Sequence, residues 1–338
     1  MYKRLRVLGS GYFGEVWLEE DLALRRLCAA KYLNGPGSSG LVDPFAEARS
    51  MLQSKHEHVV DIYSAELEGS VPVIRMEYLS SGSIEDKNHG TPLAIKHAIS
   101  AAEDACRGLE FLHSKGLLHR DLKPANLMLT AKGSVKVSDF GLACEKGQAA
   151  FAPIGYAPHL PPECFPDPQY IESVGGDIYA MGVTLYRMLN GDGFLFAIAT
   201  VDNDELARLI QTGALPPRDE FAPHIHKSLR RVAIKALHID PTKRFQSASD
   251  MRHALEAARP KVSWRMTTSD TWEGISTVGV EWRAGVENSK RGLGFFLKRR
   301  TPGKNFRSVT ADCAQFTSRA NALDHAAAVL QRVAVSGR

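Results

Sequence analysis

Three groups of residues in this 338-residue chain could do chemistry. Near the N-terminus, Gly9-Ser10-Gly11 is followed by Gly14 and Val16, a G-x-G-x-x-G-x-V spacing. A backbone free of Cβ atoms can lie over nucleotide phosphates; the plain alternative is a glycine-rich hairpin turn. With 28 glycines in the chain, about one such sequence in five would hold this spacing by accident, so it decides nothing alone. Lys31 closes the run Cys28-Ala29-Ala30-Lys31, and Glu47 follows 16 residues later. Singly they read as surface charges. Beside a glycine loop, the pair can fix an ammonium where it neutralises phosphate oxygens. The densest group is His119-Arg120-Asp121-Leu122-Lys123-Pro124-Ala125-Asn126, with Asp139-Phe140-Gly141 starting 18 residues after Asp121. That combination is too specific for chance.

Elements must hold these groups in place. Residues 2–18 alternate apolar and polar in the manner of a hairpin, and Leu24–Leu33 reads as a third strand. Asp43-Pro44 followed by Phe45, Ala48, Met51 and Leu52 predicts a helix carrying Glu47. Val59–Leu67 and Val71–Tyr78 read as two more strands, so residues 1–79 are mostly sheet. From Ser80 onward the period becomes helical, with Leu93–Lys115 the longest amphipathic segment. Short strands at Leu127–Leu129 and Val135–Val137 flank the reactive octet. Helices are expected at Ile178–Leu189, Asp204–Gln211, Lys227–Leu237 and Ala248–Ala258. The last 75 or so residues read as strands at Val262–Thr268, Thr277–Val286, Gly292–Arg300 and Phe306–Phe316, then a helix over Ser318–Val335.

With these motifs in order, residues 2–258 resemble a eukaryotic-type serine/threonine protein kinase. Pro161-Pro162-Glu163, Asp177-x-Tyr179-x-x-Gly182 and Arg244 continue the expected series. The resemblance implies an α+β, bilobal fold, with a sheet-rich lobe over residues 1–79 and a helical lobe over 80–258. It implies ATP, with Mg²⁺ and Mn²⁺ as the candidate metals, and a protein substrate. Asp121 would accept the hydroxyl proton, Lys123 would stabilise the transferring phosphoryl group, and Asn126 and Asp139 would hold the metal. Met76-Glu77-Tyr78-Leu79 resembles the hinge, whose backbone would read adenine, with Met76 as gatekeeper. Glu163 and Arg244 would pair inside the helical lobe, and Asp177 would brace the catalytic loop. The rival reading is a pseudokinase scaffold, disfavoured because Lys31, Glu47, Asp121, Asn126 and Asp139 are all present.

Two features depart from the family pattern. Tyr156 stands where a threonine is usual, and His159 where a tyrosine is usual. Between Asp139 and Glu163 there is no serine or threonine, and Glu145 is the only acid between Gly141 and Glu163. Glu145 would either pair with Arg120 and order the loop, or stay solvated.

Composition bounds the rest. At 44% hydrophobic and 24% charged, the chain is neither disordered nor fibrous. Its five scattered cysteines form no C-x-x-C pair, so buried thiols in a reducing cytoplasm are expected, with no zinc site and no disulfide framework. No apolar run approaches the roughly 18 residues of a membrane span, and the charged N-terminus precedes no leader-like apolar stretch. Residues 261–338 hold 13 basic and 6 acidic side chains, while the other 260 hold 29 and 32. This asymmetry suggests a separate four-strand-plus-helix module over 262–338. Its basic and aromatic residues would contact an acidic protein partner or nucleic acid, unless they are simply core aromatics and solvated charges.

Overall fold

The structure is a computed structural model. It describes residues 1–11, 14–33, 45, 55–139, the backbone of 144–145, 156–165, 173–289 and 292–338. The first strands are β1 (Tyr2–Gly11), β2 (Gly14–Asp21), β3 (Arg26–Leu33), β4 (Ile62–Glu68) and β5 (Val71–Glu77). They form one antiparallel sheet in the order β1-β2-β3-β5-β4. Alternation along β3 buries Lys31 and Ala29 on one face and Ala30 on the other. Gly14 opens β2 at φ +137°, and a Cβ there would lie 1.9 Å from the Tyr32 carbonyl oxygen. The hairpin therefore needs glycine at this position to lie against β3. The helix expected around Glu47 lies outside the described residues.

The helical lobe begins with α1 (Ile84–Asn88), a short helix closed by a reciprocal cap between Ser83 and Asp86. α2 (Ile95–Ser114) follows, and its stripe Ala98, Ala102, Ala105, Leu109 and Leu112 is fully buried. Four short strands carry the reactive segments: β6 (Leu117–Leu118), β7 (Leu127–Leu129), β8 (Val135–Val137) and β9 (Cys144–Glu145). β7 pairs with β8 and β6 with β9. α3 (Val174–Asn190) is buried on every side from Asp177 to Leu189, so it forms the axis of the lobe. Around it lie α4 (Gly193–Ala197), α5 (Asn203–Gln211), α6 (Lys227–Ala236) and α7 (Ala248–Ala257). The longer helices fall where the periodicity places them; α1 and α4, five residues each, are too short to show a period.

The C-terminal region differs from expectation in strand count. It has six strands, not four: β10 (Val262–Thr268), β11 (Thr271–Ser276), β12 (Glu281–Ser289), β13 (Gly292–Arg300), β14 (Arg307–Ser308) and β15 (Ala314–Phe316). β11 escapes a propensity reading because Gly274 interrupts it. The structure requires that glycine, since a Cβ there would sit 2.7 Å from the Trp264 ring. The segment expected as one strand over Phe306–Phe316 is split into β14 and β15 by a helical turn at Thr310–Asp312. α8 (Arg319–Ser336) covers one face, burying Ala322, Ala326, Leu330 and Val333 against Trp264, Trp272, Trp282, Phe295 and Leu297.

No solvated linker separates this sheet from the helical lobe. Val262 and Trp264 belong to the same hydrophobic cluster as Ile95 and Ile99 of α2. Arg259 pairs with the buried Glu103 of α2, with Nε 2.8 Å from Oε1. The Lys96 N–H donates to Ser263 Oγ at 2.8 Å, and the Lys261 N–H to the Ala334 carbonyl at 2.7 Å.

Candidate active site

A cleft of about 480 Å³ opens between the N-terminal sheet and the helical lobe. Leu8, Gly9 and Val16 come from the first hairpin, Ala29 and Lys31 from β3, and Met76 to Gly82 from the hinge. Ala125, Asn126, Met128, Ser138 and Asp139 come from the helical lobe. Of the residues singled out from sequence, Gly9, Val16, Lys31, Met76, Glu77, Leu79, Asn126 and Asp139 line this space. Ser10, Gly11 and Gly14 lie farther along the hairpin and are not in the lining. Glu47 lies outside the described residues. Leu8, Ala29, Val60 and Met128 went unnoticed in the sequence; the two-residue period of a strand places Ala29 beside Lys31, and β7 places Met128 beside Asn126.

Lys31 crosses between lobes to ion-pair with Asp139. Burial pushes the Asp139 carboxyl up, but Lys31, with His119 and Lys123 behind it, outweighs burial and holds it below the ordinary carboxylate range. Asp139 itself sits at φ +67° and Arg120 at φ +69°. Such left-handed non-glycine residues persist only where surrounding contacts over-determine them, and those contacts are present. Asp177 on α3 accepts the N–H groups of His119 and Arg120, each at 2.9 Å, and His113 Nε2 lies 2.8 Å from it. Buried though it is, the Asp177 carboxyl is held low by His113, by the charge of the His119 ring and by the Arg120 N–H. His119 Nε2 lies 2.9 Å from the Ser138 carbonyl, and the Ser138 N–H donates to the Asn126 carbonyl at 3.0 Å. The segments carrying Asp121 and Asp139 are thus tied together next to the cleft.

Asp121 is only 7% exposed, yet both carboxylate oxygens are engaged. Oδ2 accepts from Lys123 Nζ at 2.7 Å and from Asn126 Nδ2 at 3.0 Å. Oδ1 accepts from the Tyr156 N–H at 3.2 Å. At position 156, where the family pattern has a threonine and this chain a tyrosine, it is the backbone N–H that meets Asp121. Because Asn126 Nδ2 also donates to the Asp121 carbonyl at 2.6 Å, its amide is oriented with Oδ1 left to accept or coordinate. Among the described residues no cluster of three or more His, Cys, Asp or Glu could hold a metal ion. The donor set that remains, one amide oxygen and one carboxylate, suits a hard cation that takes its other ligands from water and phosphate. The Glu145 side chain lies outside the described residues, and only its backbone pairing with Leu117 is seen.

In the hinge, Glu77 Oε2 accepts from Lys136 Nζ at 2.6 Å, a partner the sequence did not suggest. The Glu77 N–H goes to the Asp61 carbonyl at 2.9 Å, and the Leu79 carbonyl accepts the Gly82 N–H at 3.2 Å. Farther down, Arg244 grips Glu163 through two bonds of 2.7 and 2.6 Å.

Comparison with known proteins agrees with this geometry. The model of the protein kinase domain family matches residues 2–256. The chain is 33% identical to the serine/threonine-protein kinase PknB of Mycobacterium tuberculosis over 268 residues, which cover 74% of this chain and 42% of that one. It is 31% identical to the serine/threonine-protein kinase Pkn1 of Myxococcus xanthus over 271 residues, 76% of this chain and 38% of that one. A probable serine/threonine-protein kinase of Streptomyces coelicolor matches at 32% over 270 residues, covering 74% and 39%. The matches take in about two fifths of the length of these relatives. On the family match, the identities and the ordered motifs together, the chain belongs to the protein kinase family.

Proposed function

We propose that the protein transfers the terminal phosphoryl group of ATP to serine or threonine hydroxyls of protein substrates. The observation that carries this reading is the Lys31–Asp139 pair lining the cleft, with Asp121, held by Lys123 and the Tyr156 N–H, tied to the cleft residue Asn126 although neither Asp121 nor Lys123 is itself in the lining. The Glu77 carbonyl and the Leu79 N–H, the hinge groups not spent on Asp61 and Gly82, would read adenine. Lys31 would neutralise phosphate oxygens. Asp121 Oδ1 or Oδ2 would take the acceptor's proton, and Lys123 Nζ, already 2.7 Å from that carboxylate, would face the charge building on the transferring group. Mg²⁺ or Mn²⁺, bound by Asn126 and Asp139, would supply charge neutralisation at the phosphates. The same arrangement favours catalysis over a pure scaffold role.

Incubating the chain with γ-labelled ATP, Mg²⁺ and a basic protein substrate should yield phosphoserine and phosphothreonine. No transfer, or transfer to tyrosine alone, would overturn the reading.

The C-terminal sheet supports a second, smaller proposal. Lys298, Arg299, Lys304 and Arg307 are exposed around the β13–β14 hairpin with no ion-pair partner among the described residues. An acidic protein partner or nucleic acid would fit this edge, and its binding should weaken steeply with salt. The buried free thiols of Cys28 and Cys106 support a cytoplasmic setting.

A further inference from the structure

His159 occupies an unusual place. It is 3% exposed and sits between the catalytic loop and α3. Its Nδ1 lies 2.8 Å from the Leu122 carbonyl, and its Nε2 lies 3.2 Å from Arg187 Nη1. A guanidinium has only donors, so Nε2 must offer its lone pair. The ring proton therefore resides on Nδ1, which donates to Leu122. Arg187 is itself aimed by Asp192, which accepts from Nε at 2.7 Å and from Nη2 at 2.6 Å and leaves Nη1 for the imidazole. The other donor near the Leu122 carbonyl is Thr184, whose hydroxyl lies closer to Ala180 (2.8 Å) than to Leu122 (3.3 Å). One hydroxyl proton cannot serve both. Among the described residues His159 is thus the closest side-chain donor to that carbonyl, at 2.8 Å against 3.3 Å for Thr184.

We propose that His159 is a positioning residue for phosphoryl transfer: Arg187 locks it as the Nδ1–H tautomer, and the locked ring fixes the Leu122–Lys123 peptide, which is flanked by Asp121 and Lys123. The position departs from the family pattern, and the departure is accommodated by a matched pair, imidazole and guanidinium, rather than left as a gap. Burial, with Arg187 and Lys123 adding to it, holds the His159 imidazole well below the ordinary histidine range, so the ring stays neutral and keeps a lone pair for Arg187. Tyr156 tilts against the ring at 5.5 Å, and the Lys123 ammonium lies 5.7 Å from the Tyr156 ring centre, which closes the group around the acceptor side of Asp121.

The inference rests on the phosphoryl-transfer reading, and two amide variants dissect it. H159N places an N–H where Nδ1 stood, keeping the donor to Leu122 and losing the acceptor for Arg187. H159Q places a carbonyl near Nε2, keeping the acceptor and losing the donor. H159Q is expected to lower kcat about tenfold with KM for ATP unchanged, and H159N to keep most of kcat. Equal losses in both variants, or an undiminished kcat in H159Q, would overturn the proposal. Nitrogen-15 spectra of the unmodified chain at neutral pH, with the His159 signals assigned by their absence in H159N, give a readout independent of turnover. Protonated Nδ1 with bare Nε2 is expected; the opposite tautomer or a doubly protonated ring would overturn it. Should the unmodified chain transfer no phosphate, the functional reading fails while the tautomer still judges the clamp.

Discussion

The two large sheets of this protein are both antiparallel and both adjoin the helical lobe, yet they use their inner faces in opposite ways. The N-terminal sheet turns Val16, Ala29 and Lys31 toward a cleft of about 480 Å³. The C-terminal sheet turns Trp264, Trp272, Trp282 and Phe295 toward α8, where each is 2% exposed or less. Small and charged side chains leave room and pay for it with a buried ammonium that needs a partner across the cleft. Large indoles leave none. The difference teaches that a sheet becomes a site where its inner face is under-filled, and a structural element where aromatics fill it.

The largest expected effect tests the under-filled side. Asp121→Asn should cut phosphoryl transfer by about 10²–10⁴-fold, since a positioned proton acceptor is worth that much. Nucleotide affinity of the folded variant should stay near that of the parent, because Asp121 is not among the residues that line the cleft. A folded variant with full activity, or one that no longer binds ATP, would break the contrast between the two faces.

Next comes the filled side. Trp264→Ala removes a ring with no solvent exposure and a bond from its Nε1 to the Leu330 carbonyl at 3.1 Å. Truncations of this kind cost about 3–5 kcal/mol. Thermal or urea unfolding of the variant should show the loss, with nucleotide affinity at low temperature unchanged. Unaltered stability would mean that the C-terminal core is not packed as described.

The smallest effect uses pH to separate the helical lobe from both sheets. His224 is fully buried, and burial, with Arg230 adding to it, pulls its imidazole down to about 4. His159 and His226 are lowered for the same reason, burial being the first cause in each. In the unfolded chain these rings protonate near 6.5. Between about 6.5 and 4 the unfolded state therefore binds protons that the folded state does not, and stability falls as pH falls. Urea midpoints at pH 7.5 and 5 should show this slope, and His224→Phe should flatten it. A slope unchanged by that substitution would place the proton uptake elsewhere.

Much of the candidate site was readable in the sequence. Asp121, Asn126 and Asp139 announce themselves because chemistry fixes residue type and spacing together, and the strands and long helices around them follow from period. What stayed hidden is contact across the chain. Nothing local says that Lys136 will reach Glu77, or that Arg187 will be aimed by Asp192 at His159, because those partners are set by tertiary packing. The tail was read least well for a similar reason. Gly274 looks like a strand breaker until the Trp264 ring that lies against it is known.

The seam between β10 and α2 has a consequence for how the molecule comes apart. Val262 and Trp264 lie in one apolar cluster with Ile95 and Ile99, and Glu103 binds Arg259 from within that seam. Opening either side exposes the other's apolar surface, so the two cannot loosen independently at low cost. In hydrogen exchange, the slowest amides of β10 should then leave protection together with those of α2, as one foldon that runs from the long helix of the helical lobe out to the C-terminal sheet.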